Sequence, residues 1–134
     1  MHKILFAHSD QKLLEIYRHH LARHFSFDSA VDGLSALRKL RDLSHSMVVA
    51  DYNLPVFSGA GLLKFVRAHT HLSPLPFIFL TTHPDPYLAL GLGASDWLDS
   101  AQTNPEQLIE KLYYHLKINF PIINQVVEVR YLPR

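Results

Sequence analysis

The stretch SMVVADYNLPVFSGAGLLKFVR, residues 46–67, decides the fold. Ser46 to Ala50 is a short apolar run with no polar alternation, which predicts a strand buried on both faces. It stops at Asp51. Pro55 and Gly59 mark a turn, and Leu62, Leu63, Phe65 and Val66 then recur at helical spacing, predicting a helix with those residues inward. A fully buried strand followed at once by an amphipathic helix is half of a βαβ unit, which implies a parallel sheet.

The same alternation extends in both directions. Lys3 to Ala7 is a compact apolar run, followed by Asp10 at the place of a helix N-cap and by Leu13, Leu14, Tyr17 and Leu21. Phe25 to Val31 predicts a mixed strand, Asp32 a second cap, and Leu34, Leu37 and Leu40 the stripe of the next helix. Downstream, Phe77 to Leu80 and Ser95 to Asp99 predict two more strands, separated by a short helix over Pro86 to Leu92. Pro105 suits the first turn of a last helix bearing Leu108, Ile109, Leu112 and Leu116. Five strands alternating with five helices predict a doubly wound α/β domain with chemistry at the carboxyl ends of its strands, where His8, Ser9, Asp51, Thr81 and Ser100 fall.

Composition agrees with one domain. The chain has 134 residues, 48% of them hydrophobic and 19% charged, which excludes a disordered chain. Thirteen Lys and Arg against twelve Asp and Glu leave a net charge of +1, so no nucleic-acid or membrane partner is expected. There is no cysteine, and the apolar start is too short for a signal sequence or a span, so the expected location is the cytoplasm. Ten histidines are scattered along the chain, and the adjacent His19 and His20 are expected at the surface. Residues 1–117 form the expected domain. Residues 118–134 are a C-terminal extension in which Val127, Val129 and Tyr131 alternate with Glu128 and Arg130, a pattern for a strand, a linker or a dimer contact.

Three motifs in order resemble the receiver domains of two-component response regulators. DYNLPVFSGAGLLKFVR, from Asp51, is similar to the phosphoacceptor strand end, its Leu/Met-Pro turn and the following helix. PFIFLTT, residues 76–82, is similar to the fourth strand with its switch hydroxyl. GASDWLDSA, residues 93–101, is similar to the segment around the switch aromatic. The resemblance implies a flavodoxin-like, CheY-like strand order of 2-1-3-4-5. It places Asp51 on the phosphoacceptor, Thr81 and Trp97 on the switch positions, and Asn53 on the residue whose carbonyl helps hold magnesium. The chain departs from the pattern where the family has an acidic pair, here His8 and Ser9, and where it has a lysine, here Ser100.

These departures remove the oxygen ligands and the cation that a phosphoaspartyl site needs. No cofactor is therefore expected, and Mg²⁺ on Asp51 and Asn53 would be at most weakly held. The expected function is a non-enzymatic, phosphorylation-independent protein-interaction module in two-component signalling. The alternative is an active receiver phosphorylated on Asp51 by a histidine kinase. Expected partners are a histidine kinase or a downstream signalling protein, engaged through a face near Tyr87, Trp97, Asp99 and Tyr113, with a homodimer through the C-terminal segment as a further option. A protonated His8 paired with Asp51 would substitute for the metal. A second arrangement, His8 and His83 with Asp51, has the donor types of a zinc site.

Overall fold

The computed structural model describes residues 1–82 and 85–118, apart from the side chains of residues 86, 89 and 90. The elements are β1 (Lys3–Ala7), α1 (Gln11–Leu21), β2 (Ser26–Ala30), α2 (Gly33–Leu40), β3 (Met47–Ala50), α3 (Gly59–Ala68), β4 (Phe77–Thr81), α4 (Pro86–Leu92), β5 (Asp96–Asp99) and α5 (Pro105–Leu116). The strands form one sheet in the order β2-β1-β3-β4-β5, every neighbouring pair parallel. This is the doubly wound, flavodoxin-like arrangement anticipated from the sequence. The strand proposed within residues 119–134 lies outside the described residues, as does His83.

Helix starts are set by short polar side chains that accept free first-turn amides. Asp10 accepts from the N–H groups of Lys12 and Leu13. Asp32 accepts from Ser35, and Ser58 from Gly61. Asn104 and Gln107 form a reciprocal capping box ahead of Pro105.

Strand residues point alternately to two core layers. Ile4, Phe6, Met47, Val49, Ile78 and Leu80 pack beneath α1 and α5. Leu5, Ala7, Val48, Ala50, Phe77 and Phe79 pack beneath α2 and α3. Full burial of a large apolar side chain contributes roughly 1.5–3 kcal/mol. Double-sided burial is therefore why these strands read as unbroken apolar runs.

The helices correct the expected stripes in detail. On α2 the deeply buried residues are Gly33, Ala36 and Leu40, while Leu34 and Leu37 are half-buried. A Cβ on Gly33 would lie 1.6 Å from the Phe57 carbonyl oxygen, so α2 sits too close to the β3–α3 loop for larger residues at that face. Phe65 is half-buried, because Leu62, Leu63 and Val66 already fill the α3 face. Tyr113 replaces Leu116 in the deep layer of α5. His19 is exposed and His20 half-buried, yet their rings meet edge-on at 5.4 Å.

Candidate functional site

Asp51 follows the last residue of β3, and its N–H donates to the Ala7 carbonyl at 3.0 Å, which anchors it beside the end of β1. Its Oδ1 accepts from the Thr81 hydroxyl at 2.6 Å and from the Asn53 amide at 3.3 Å. Thr81 ends β4 and is 1% exposed, and the other acceptor within reach of its hydroxyl, the Thr82 carbonyl, is farther away at 3.5 Å. The Asp51 Oδ2 lies 3.5 Å from His8 Nε2. Three strand ends thus bring His8, Asp51 and Thr81 together, although 30 and more positions separate them in the chain.

The state of His8 follows from its other ring nitrogen. Nδ1 accepts from the backbone N–H of Asp10 at 3.0 Å. A ring nitrogen that accepts from an amide carries no proton, so the neutral ring holds its proton on Nε2 and turns that N–H toward Asp51. The sequence suggested a protonated imidazole. The geometry accommodates a neutral one, which supplies a dipole instead of a full charge.

The remaining sequence candidates are spread around this centre. Ser9 is exposed in the β1–α1 turn, and the carboxylate of Asp10 is engaged as a helix cap. Asn53 is exposed. Ser100 is half-buried, and its N–H donates to the Thr81 carbonyl at 2.9 Å, extending the β4–β5 ladder. The loop after Asp51 carries Val56 at φ 70°, with the Phe57 N–H on the Pro55 carbonyl at 2.8 Å. That is a γ-turn of the strained hand, and its β-branched side chain is 77% exposed.

Trp97 lies on β5 opposite Phe79, with the two ring centroids 4.7 Å apart, and Tyr52 packs against both rings. Of the expected partner face, Tyr87 is 86% exposed and Asp99 half-buried. Tyr113 does not belong to it: the side chain is buried in the α1–α5 layer, within 2.9 Å of His24 Nδ1. Its neighbour Tyr114 is the exposed tyrosine of α5.

Sequence reasoning missed two further imidazole–carboxylate pairs. His45 Nε2 lies 2.9 Å from Asp28 Oδ2, and Lys39 Nζ donates to Asp28 Oδ1 at 2.9 Å. Burial alone would raise the Asp28 pKa, but the bonds from His45 and Lys39 bring it below the usual carboxylate value. His115 Nε2 lies 2.8 Å from Asp96 Oδ2. That bond, against the opposing effect of burial, lowers the Asp96 pKa. No local pattern announces either pair, because the partners are 17 and 19 residues apart and meet only through tertiary packing.

An aspartate at the end of the central strand, held by a threonine hydroxyl from the next strand, defines a receiver-type α/β domain. No protein-family model matches the chain. It is 29% identical over 113 residues to the transcriptional regulatory protein GltR of Pseudomonas aeruginosa, covering 81% of this chain and 46% of that protein. It is 35% identical over 82 residues to the chemotaxis protein CheY-3 of Vibrio cholerae, covering 59% of this chain and 62% of that protein. These matches span about half of the relatives' own lengths, as the 46% and 62% show. The solved structure of the chemotaxis response regulator CheY4 of Vibrio cholerae superposes with a TM-score of 0.79 at 28% identity, over 86% of this chain and 98% of that one. In sequence and in fold the chain is similar to the CheY-like receiver domains of two-component response regulators. Among the described residues no helix is long and apolar enough to cross a membrane.

Proposed function

We propose that this receiver domain acts as a phosphorylation-independent, non-enzymatic interaction module. The observation that carries the reading is the occupied Asp51 carboxylate. Oδ1 already accepts two hydrogen bonds, from Thr81 and Asn53, and the Nε2–H of His8 faces Oδ2 where a receiver would place its metal. The residues present do not fit Mg²⁺. That ion needs several oxygen ligands in octahedral geometry. Here the acidic pair is replaced by an imidazole that points a donor inward and by an exposed serine. A zinc-type ligand is disfavoured for the same reason. Coordination through Nε2 requires the ring proton on Nδ1, which would then face the Asp10 N–H.

Without a metal, a phosphoryl donor and Asp51 meet as two unshielded anions. Ser100 supplies no cation at the position where the family has its lysine. Signalling then rests on binding a protein partner, a histidine kinase or a downstream signalling protein, through the surface carrying Tyr87 and Tyr114. The second reading, an active phosphoacceptor, draws support from the Thr81 hydroxyl, which is positioned on Asp51.

Intact mass spectrometry after incubation with acetyl phosphate, with and without Mg²⁺, separates the two. The expected result is no adduct on the wild type. A magnesium-dependent adduct on wild type that is absent from Asp51→Asn would overturn the proposal. The double variant His8→Asp, Ser9→Asp is expected to gain a magnesium-dependent adduct, because it restores the oxygen ligands.

A further inference from the structure

The Trp97 indole is turned into the protein, and no polar group among the described residues holds its Nε1 there. Its Nε1 is buried and has no hydrogen-bond partner among the described residues. An unpartnered buried donor is destabilising, so the inward orientation needs an opposing source of stability. Two rings supply it. Phe79 lies at 4.7 Å and 57°, and Tyr52 at 5.4 Å and 46°. Tyr52 also meets Phe79, at 5.5 Å and 63°, closing a three-ring cluster.

The three rings are not equivalent. Phe79 is fully buried in the central part of β4. Tyr52 is half-buried and is the residue directly after Asp51. Its backbone is held by Gly59, whose N–H donates to the Tyr52 carbonyl at 2.9 Å. A Cβ on Gly59 would come within 2.9 Å of the Tyr52 Cα and 3.0 Å of the Phe79 ring, so the start of α3 is cut away to admit both. Tyr52 therefore connects the Asp51 loop to β5 directly, without passing through Thr81.

We infer that Tyr52 is a positioning residue that holds Trp97 inward and transmits changes at Asp51 to β5. The inference rests on the receiver reading of the site, but not on whether Asp51 is phosphorylated. Coupling between the two ends is measured by a double-mutant cycle.

Trp97 is the only tryptophan of the chain, so its fluorescence reports the position of this one side chain. The experiment measures emission maximum and acrylamide quenching in wild type, Tyr52→Phe and Tyr52→Leu, each with Asp51 and with Asp51→Asn, after circular dichroism confirms folding. Tyr52→Phe keeps the ring and is expected to match wild type. Tyr52→Leu is expected to red-shift the emission and raise the quenching constant about twofold, as the indole gains water. Asp51→Asn is expected to change quenching in wild type and in Tyr52→Phe, and to lose at least half of that effect in Tyr52→Leu. An unchanged Trp97 signal in folded Tyr52→Leu would overturn the inference. So would an Asp51→Asn effect of equal size in both backgrounds, or none in wild type. Wild-type protein gives a test that depends on no variant: nuclear Overhauser contacts between the Tyr52 and Trp97 rings are expected, and their absence removes the link. A phosphate adduct on Asp51 would sink the proposed function while leaving these outcomes in force.

Discussion

Two imidazole–carboxylate pairs in this domain use the same residue types for different ends. His45 and Asp28 meet at 2.9 Å with the His45 side chain 1% exposed, and Lys39 closes the other carboxylate oxygen. His8 and Asp51 stand 3.5 Å apart at the strand ends, with 13% and 15% of their side chains exposed. The first pair is an interior tie between β2 and the approach to β3. The second is a loose contact in a place where the sheet leaves its carboxyl ends open. Position in the fold, and not the identity of the residues, separates a structural ion pair from a site.

Removing the histidine from each pair tests this contrast. His45→Ala is expected to cost about 3 kcal/mol, because it opens a cavity and leaves a half-buried carboxylate with one cationic partner. Urea unfolding measures it, and a loss no greater than that of a surface substitution would break the comparison. Thr81→Val keeps the shape and removes the 2.6 Å bond to Asp51, with an expected cost of about 1.5 kcal/mol in the same titration. His8→Ala should cost only about 0.5 kcal/mol, as expected for a long, partly solvated contact. A cost matching that of His45→Ala would make both pairs structural.

The acid limb of stability sharpens the contrast further. Asp28 and Asp96 have folded pKa values below their ordinary ones. Their contribution is present above the unfolded carboxylate value of about 3.9 and is lost as pH falls through the lower folded values. Asp28→Asn should therefore flatten the fall of stability on the acid side of pH 5. Urea midpoints collected from neutral to acidic pH would show this, and an unchanged slope would mean that the His45 and Lys39 bonds do not hold the charge.

The sequence by itself determined the architecture. Unbroken apolar runs at residues 4–7, 47–50 and 77–80 can be buried only between two helical layers, and Asp10, Asp32 and Pro105 mark helix starts through local chemistry that needs no distant partner. It also brought Asp51 and Thr81 to strand ends, because strand ends are legible wherever an apolar run meets a polar residue. It misjudged which side of a helix goes deepest, as with Leu34 and Tyr113, since that depends on the neighbour each face meets.

Only the tertiary structure decided the electrostatics. Whether a histidine is charged, which carboxylate it faces and which tautomer it holds depend on groups from other strands and loops. The Asp10 amide on His8 Nδ1, Asp28 opposite His45 and Asp96 opposite His115 are such groups. The Tyr52–Trp97 contact is of the same kind. Hydrophobic patterning is periodic along the chain and survives in one dimension. A polar pair is a single contact between distant positions, and it exists only once the sheet has set its strands side by side.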